Sequence, residues 1–188
     1  DPEALEGYAR SKLNLIKNLL PEERRKKVIE DLKPLLVSSL EMDFYYGVSV
    51  GGKQTHATLY ELPVFQSLMD EMLEVIRERT ELDLVVEKAW ANWTNGNAGD
   101  IRWHKHDSDY ALVYYLKTSF LNSGTLFKDG FVKAPQNSLL LFPANLEHTA
   151  PSSRRNNPFR FDRYTISMDL VYRKKSERTV YHGIRPGS

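Results

Sequence analysis

RYTISMDLVY, residues 163–172, alternates strictly along its length: Arg163, Thr165, Ser167 and Asp169 fall on one side, Tyr164, Ile166, Met168 and Leu170 on the other. Successive side chains of a strand point to opposite faces, so one face is apolar and the other is polar and headed by an arginine. On an ordinary sheet the polar face would lie in water. In a small barrel covered by helices it points inward, and the arginine then needs an anionic partner, because an unpaired buried charge is too costly. A carboxylate held bidentately by the guanidinium and helped by a neighbouring hydroxyl meets that need.

Upstream, further strand candidates are LDLVVEKAWANWT (82–94), DIRWHKH (100–106), YALVYYLK (110–117), GTLFKD (124–129) and SLLLFPA (138–144), separated by Asn, Gly, Pro and Ser turns. Many short strands at such spacing predict a sandwich or barrel. The first forty residues differ. Leu5, Tyr8, Leu13, Ile16 and Leu20 recur at roughly helical spacing as far as Pro21, and a second helix restarts there with Glu22 and Glu23 in its first turn. Pro34 kinks or divides that helix. FYYGVSVGGKQTHATLYEL (44–62) has β texture around a Gly-Gly turn, and Phe65, Leu68, Met72, Leu73 and Ile76 predict a helix opened by Pro63. The expected fold is mainly β with N-terminal helices: a helical segment over 1–41, a β domain over 42–172 with a supporting helix near 64–80, and a basic tail over 173–188.

A chain of 188 residues is long enough to bury a core without staples, and with no cysteine it offers no disulfide, zinc-thiolate site or thiol nucleophile. The formal net charge of +1 gives no general argument for a nucleic-acid partner. The basic clusters Arg24–Lys27 and YRKKSERTVYHGIRPGS read as solvated faces or ends. With no apolar run of membrane-span length and no signal-peptide pattern, a soluble, cytoplasmic protein is expected.

The chemistry lies in three of the five histidines. His104 and His106, at i and i+2, share a face if their segment is extended. His148 follows SLLLFPANLE, where an apolar strand ends at a proline and turns. A pair at one strand end and a single histidine at another can converge in a barrel mouth, where imidazole with oxygen ligands suits iron, copper, nickel or zinc. His56 and His182 read as ordinary turn and tail residues. The three tryptophans, Trp90, Trp93 and Trp103, read as barrel packing.

From Trp90 to Tyr172 these segments, in this order, resemble the 2-oxoglutarate and Fe(II)-dependent oxygenases, which have a double-stranded β-helix (jelly-roll) core. WHKH stands where that family has its first ligand motif, His-x-Asp. VYYLKTSFLNSGTLFKDG is similar to the prolyl-hydroxylase-type strand and its return, NSLLLFPANLEHTAP to the strand carrying the distal histidine, and DRYTISMDLVY to the cosubstrate-binding strand. AWANW ahead of WHKH further resembles a His-x-His subgroup. The resemblance implies a jelly-roll core covered by helices, Fe(II), and 2-oxoglutarate as cosubstrate. His148 would be the distal ligand. Arg163 would pair with the far carboxylate of 2-oxoglutarate, with Thr165 or Ser167 donating a hydroxyl, Tyr115 touching the same carboxylate and Asn92 lining the keto-acid site. The implied reaction is hydroxylation of a C–H bond in a protein side chain or small molecule, with release of succinate and CO2.

The departure is at the first motif, because neither histidine is followed by aspartate at the required spacing. His104, His106 and His148 together is the arrangement that side-chain alternation favours. A carboxylate from Asp109, or from Asp107, if the chain turns there, is a second possibility. Two histidines with water is a third. Two other functions stay open: a cupin-like three-histidine metal dioxygenase that does not use 2-oxoglutarate, for which Arg163 would have no purpose, and a non-catalytic jelly-roll binding protein.

Overall fold

The computed structural model describes residues 12–38, 52–95, 102–151, 159 and 161–174. Among them, β1 (Asn14–Ile16), β8 (Ser138–Pro143), β5 (Tyr110–Lys117), β10 (Arg163–Tyr172), β4 (Leu84–Thr94), β3 (Lys53–Gln54) and β2 (Val37–Ser38) form one sheet in that spatial order. A second sheet is ordered β7 (Gly130–Lys133), β6 (Gly124–Phe127), β9 (His148–Thr149). The pairings in both are antiparallel. The two sheets enclose a small interior made by Ala111, Tyr115, Phe127, Leu140 and Phe142. This is the jelly-roll core expected of the sequence.

Two helices cover the outside of the large sheet. In α1 (Glu22–Leu32), Pro21 precedes an acidic first turn, and Val28, Ile29 and Leu32 face the core. Its run Arg24–Lys27 is tied into exposed ion pairs, Arg24 with Glu71, Lys26 with Glu22 and Lys27 with Asp31. Pro34 divides the helix as expected, converting its end to a 3-10 turn over Lys33–Leu35. In α2 (Pro63–Thr80), the proline occupies the first turn and Phe65, Leu68, Met69, Met72 and Ile76 form the buried stripe. Glu81, at φ 61°, ends it in the left-handed conformation. Both stripes pack on the apolar face of the sheet, including Leu112, Tyr114, Leu139, Ile166, Met168 and Leu170. Among the described residues no helix is long and apolar enough to cross a membrane.

Three expectations change. The helix expected to run to Leu20 does not include Asn14–Ile16, which pair with Leu141, Leu140 and Leu139 as an edge strand. The bonds offered by the open edge of β8 outweigh a helical spacing that gives only a weak local preference. DIRWHKH does not make a continuous strand: His104 forms a single bridge with His148, and the residues before Arg102 lie outside the described ones. The short strands β7 and β9 were not expected. Gly51 of the Gly-Gly turn and His182 lie outside the described residues, as do residues 1–11 and the tail from 175.

Candidate metal centre

The polar face of β10 points into the jelly roll. Arg163, Thr165, Ser167 and Asp169 stand opposite Thr94, Asn92, Trp90 and Lys88 of β4. On the other side, Thr165, Ser167 and Asp169 stand opposite Tyr115, Val113 and Ala111 of β5. Opposed residues share a face. Tyr164, Ile166, Met168 and Leu170 belong to the helix-covered core, so the two faces of one strand serve two different environments.

At one end of that interior the histidines meet. His104 and His148 exchange two backbone hydrogen bonds, each 3.0 Å, and the His106 N–H donates to the Ala144 carbonyl at 3.0 Å. These bonds hold the HxH segment extended across the end of β8 and β9, which puts both its rings on one side. The candidate ligand nitrogens of His104, His106 and His148 lie within 4.8 Å of one another, and no carboxylate among the described residues completes the group. Nδ1 of His104 is 2.8 Å from the Arg102 carbonyl, and Nδ1 of His148 is 2.9 Å from the Leu146 carbonyl. A carbonyl can only accept, so each Nδ1 carries the proton and each Nε2 keeps its lone pair. Nε2 of His106 and Nε2 of His148 are 3.2 Å apart. Burial pushes the His104 imidazolium below its ordinary range and that of His148 down to about 3. His104 and His148, with Nδ1 anchored from behind and Nε2 lone pairs directed inward beside Nε2 of His106, offer the donors a divalent metal requires.

Arg163 lies in the same cavity and is 6% exposed. Its Nε donates to the Asn122 carbonyl at 3.1 Å and its Nη2 to the Gly124 carbonyl at 3.2 Å, and it makes no ion pair with a described residue. None of the described residues lining the cavity is acidic. Burial lowers the pKa of Arg163 while leaving a guanidinium at any ordinary pH. The charge is therefore buried, partly hydrogen-bonded and without an anion among the described residues. Gly124 is required here: it adopts φ 140°, and a Cβ would lie 2.2 Å from the Val132 carbonyl oxygen.

Thr165 is buried beside Arg163, and Ser167 accepts a hydrogen bond of 3.4 Å from Asn92 Nδ2; all three line the cavity. Tyr115 is fully buried under the guanidinium, with Arg163 Cζ 5.8 Å from its ring centre and its hydroxyl hydrogen-bonded to Thr125. Burial raises its pKa to about 12, which keeps the phenol protonated. Asp109, the alternative carboxylate, is engaged elsewhere: its Oδ2 accepts from the Tyr172 N–H at 3.0 Å. Asp107 and His56 are exposed and outside the histidine group.

Sequence reasoning missed the residues that support this site. Asp169 Oδ1 lies 2.7 Å from His106 Nδ1, and Trp90 stacks on the His106 ring with centroids 5.8 Å apart. Asp169 was visible as the fourth member of the polar face, but nothing local pointed it at His106. The carbonyls of Asn122 and Gly124 come from FLNSG, which reads as a plain loop because its contribution is backbone.

No family model and no curated protein sequence matches the chain. Solved structures do. SnoN, a non-heme alpha-ketoglutarate-dependent epimerase from nogalamycin biosynthesis, superposes with a TM-score of 0.65 at 11% identity, over 92% of this chain and 84% of its own. HygX from Streptomyces hygroscopicus, with nickel and 2-oxoglutarate bound, gives 0.63 at 12% identity, over 86% and 83%. A Pseudomonas putida prolyl-4-hydroxylase gives 0.57 at 15% identity, over 91% and 98%. The chain therefore has the double-stranded β-helix fold of the oxygenases that its motifs resemble.

Proposed function

We propose that the chain is a 2-oxoglutarate and Fe(II)-dependent oxygenase that oxidises a C–H bond. One observation carries this reading: a buried arginine with no anion among the described residues shares a cavity with three converging imidazoles. A dicarboxylate cosubstrate meets both demands, one end at the metal and the other at the cation. His104, His106 and His148 would hold the metal through Nε2. Arg163 would bind the far carboxylate through the N–H groups not committed to Asn122 and Gly124. Thr165 would add a hydroxyl hydrogen bond to the same carboxylate. Tyr115 and Thr125 support the guanidinium from below, and Asn92 and Ser167 form the polar wall. Phe127 and Phe142 pack around His148 at 5.9 and 4.7 Å, excluding water from one side of the centre.

When bound, Fe(II) would let dioxygen act as the oxidant, with two of its four electrons coming from decarboxylation of 2-oxoglutarate to succinate and CO2 and two from the substrate C–H bond. Hydroxylation of a protein side chain or small molecule is the finer reading. The prolyl-4-hydroxylase among the structural neighbours supports a peptidyl substrate, and the HygX complex with hygromycin B supports a small molecule. The cupin-like alternative leaves Arg163 without a role. The test is turnover: succinate should form from 2-oxoglutarate with Fe(II) and oxygen all present, and stop when any one is withheld. Succinate absent under all conditions, including a broad panel of peptides and small molecules, overturns the reading.

A further inference from the structure

We propose that Asp169 is a positioning residue for the metal centre, bearing on His106 from behind and supplying the negative charge that the ligand shell lacks. The inference rests on the metal-binding reading above. The three histidines are not equivalent. Nδ1 of His104 and of His148 faces a neutral carbonyl, whereas Nδ1 of His106 faces a carboxylate oxygen at 2.7 Å. Both partners are buried, with side chains 11% and 10% exposed. The two atoms are in contact but not in line, so Asp169 Oδ1 has no completed hydrogen bond, which is a costly state for a buried acceptor. A small turn of the imidazole as Nε2 takes a metal completes it.

The ring is already constrained. Trp90 stacks against it at 26° and His148 lies nearly parallel at 15°, with centroids 5.0 Å apart. Ala111, opposite Asp169 on β5, leaves the carboxylate room. Nδ1 and Nε2 are on opposite sides of an imidazole, so an oxygen touching Nδ1 cannot also reach a metal on Nε2. Asp169 therefore acts through His106.

Charge explains why it should. Three neutral imidazoles leave a divalent ion at +2, and Arg163 adds a further positive charge to the same cavity, whose described lining holds no acid. Along β10 the polar face carries Arg163 at one end and Asp169 six residues later, roughly 20 Å along an extended strand. The anion thus stands behind the metal ligand, leaving the arginine available to the cosubstrate. A carboxylate bonded to a ligand's Nδ1–H makes that ligand more basic and fixes its orientation.

The test uses the full chain and Co(II). Asp169→Asn should weaken Co(II) binding about 10- to 100-fold, the usual effect of losing such a partner, while the thermal midpoint of the metal-free protein shows that it still folds. In a His106→Asp background, which places a carboxylate directly among the ligands, the same substitution should leave affinity unchanged. Unchanged affinity in the wild-type background, or equal losses in both, overturns the proposal. A second measurement needs no variant. In the Zn(II)-loaded protein, nitrogen-edited NMR should place the His106 Nδ1–H proton well downfield of those of His104 and His148; coincidence of the three, or no proton on that nitrogen, overturns it. Failure of the wild type to bind Co(II) or Zn(II) removes the metal-centre reading as well. Binding of both metals without any effect of 2-oxoglutarate removes the cosubstrate reading and leaves this one standing.

Discussion

The two faces of β10 are built from neighbouring residues and obey opposite rules. Outward, Ile166, Met168 and Leu170 are fully buried against the helices, where each apolar side chain adds to stability. Inward, Arg163 is buried with no anion among the described residues and Asp169 holds an incomplete hydrogen bond. The outward face lowers the free energy of the fold, and the inward face spends part of that gain on a site ready for ligands. Strain of this kind marks function because the rest of the structure must over-determine it.

Charge placed on the outward face should break the contrast most severely. Ile166→Asp buries an unpaired carboxylate among packed side chains and should cost more than about 4 kcal/mol, measured by urea denaturation. A well-folded variant of near wild-type stability would show that this face is not the core it appears. Removing charge from the inward face should act in the opposite direction. Arg163→Met eliminates an unpaired buried cation and should stabilise the ligand-free protein by about 1–3 kcal/mol, while weakening 2-oxoglutarate binding. A loss of stability would mean that the carbonyls of Asn122 and Gly124 already satisfy the guanidinium.

A smaller effect should come from pH. The unfolded chain protonates its histidines near pH 6.5, whereas folding holds His148 down to about 3 and lowers His104, both chiefly by burial. Between those values the unfolded state binds more protons, so the metal-free protein loses stability as pH falls below about 6.5. Each histidine contributes at most about 1.4 kcal/mol per pH unit. Denaturation curves at pH 7 and pH 5 measure the slope, and His148→Ala should reduce it. An undiminished slope would assign the acid sensitivity to other groups.

How much of this was legible depends on whether the signal was local. The alternation of RYTISMDLVY matches β10 residue for residue, and Pro63 with the 65–76 stripe marks α2, because both patterns are set by neighbours in sequence. The HxH spacing placed two rings on one side for the same reason. That His148 joins them followed from the order of motifs in a resembled family, since a bridge between His104 and His148 spans 44 positions and leaves no periodic trace. Asn14–Ile16 were misread because an edge strand borrows its stability from β8. Asp169 was read as polar and inward, but its contact with His106 depends on a loop that crosses the barrel end.

The central claim is that one cavity holds a metal at its histidines and an anion at its arginine. Its most direct test is the anaerobic visible spectrum of the protein with Fe(II) as 2-oxoglutarate is added. A weak metal-to-ligand charge-transfer band should grow with 2-oxoglutarate in the wild type, be absent in His148→Ala, and require much higher 2-oxoglutarate in Arg163→Met. No band in the wild type, or the same 2-oxoglutarate dependence with and without Arg163, would contradict the account.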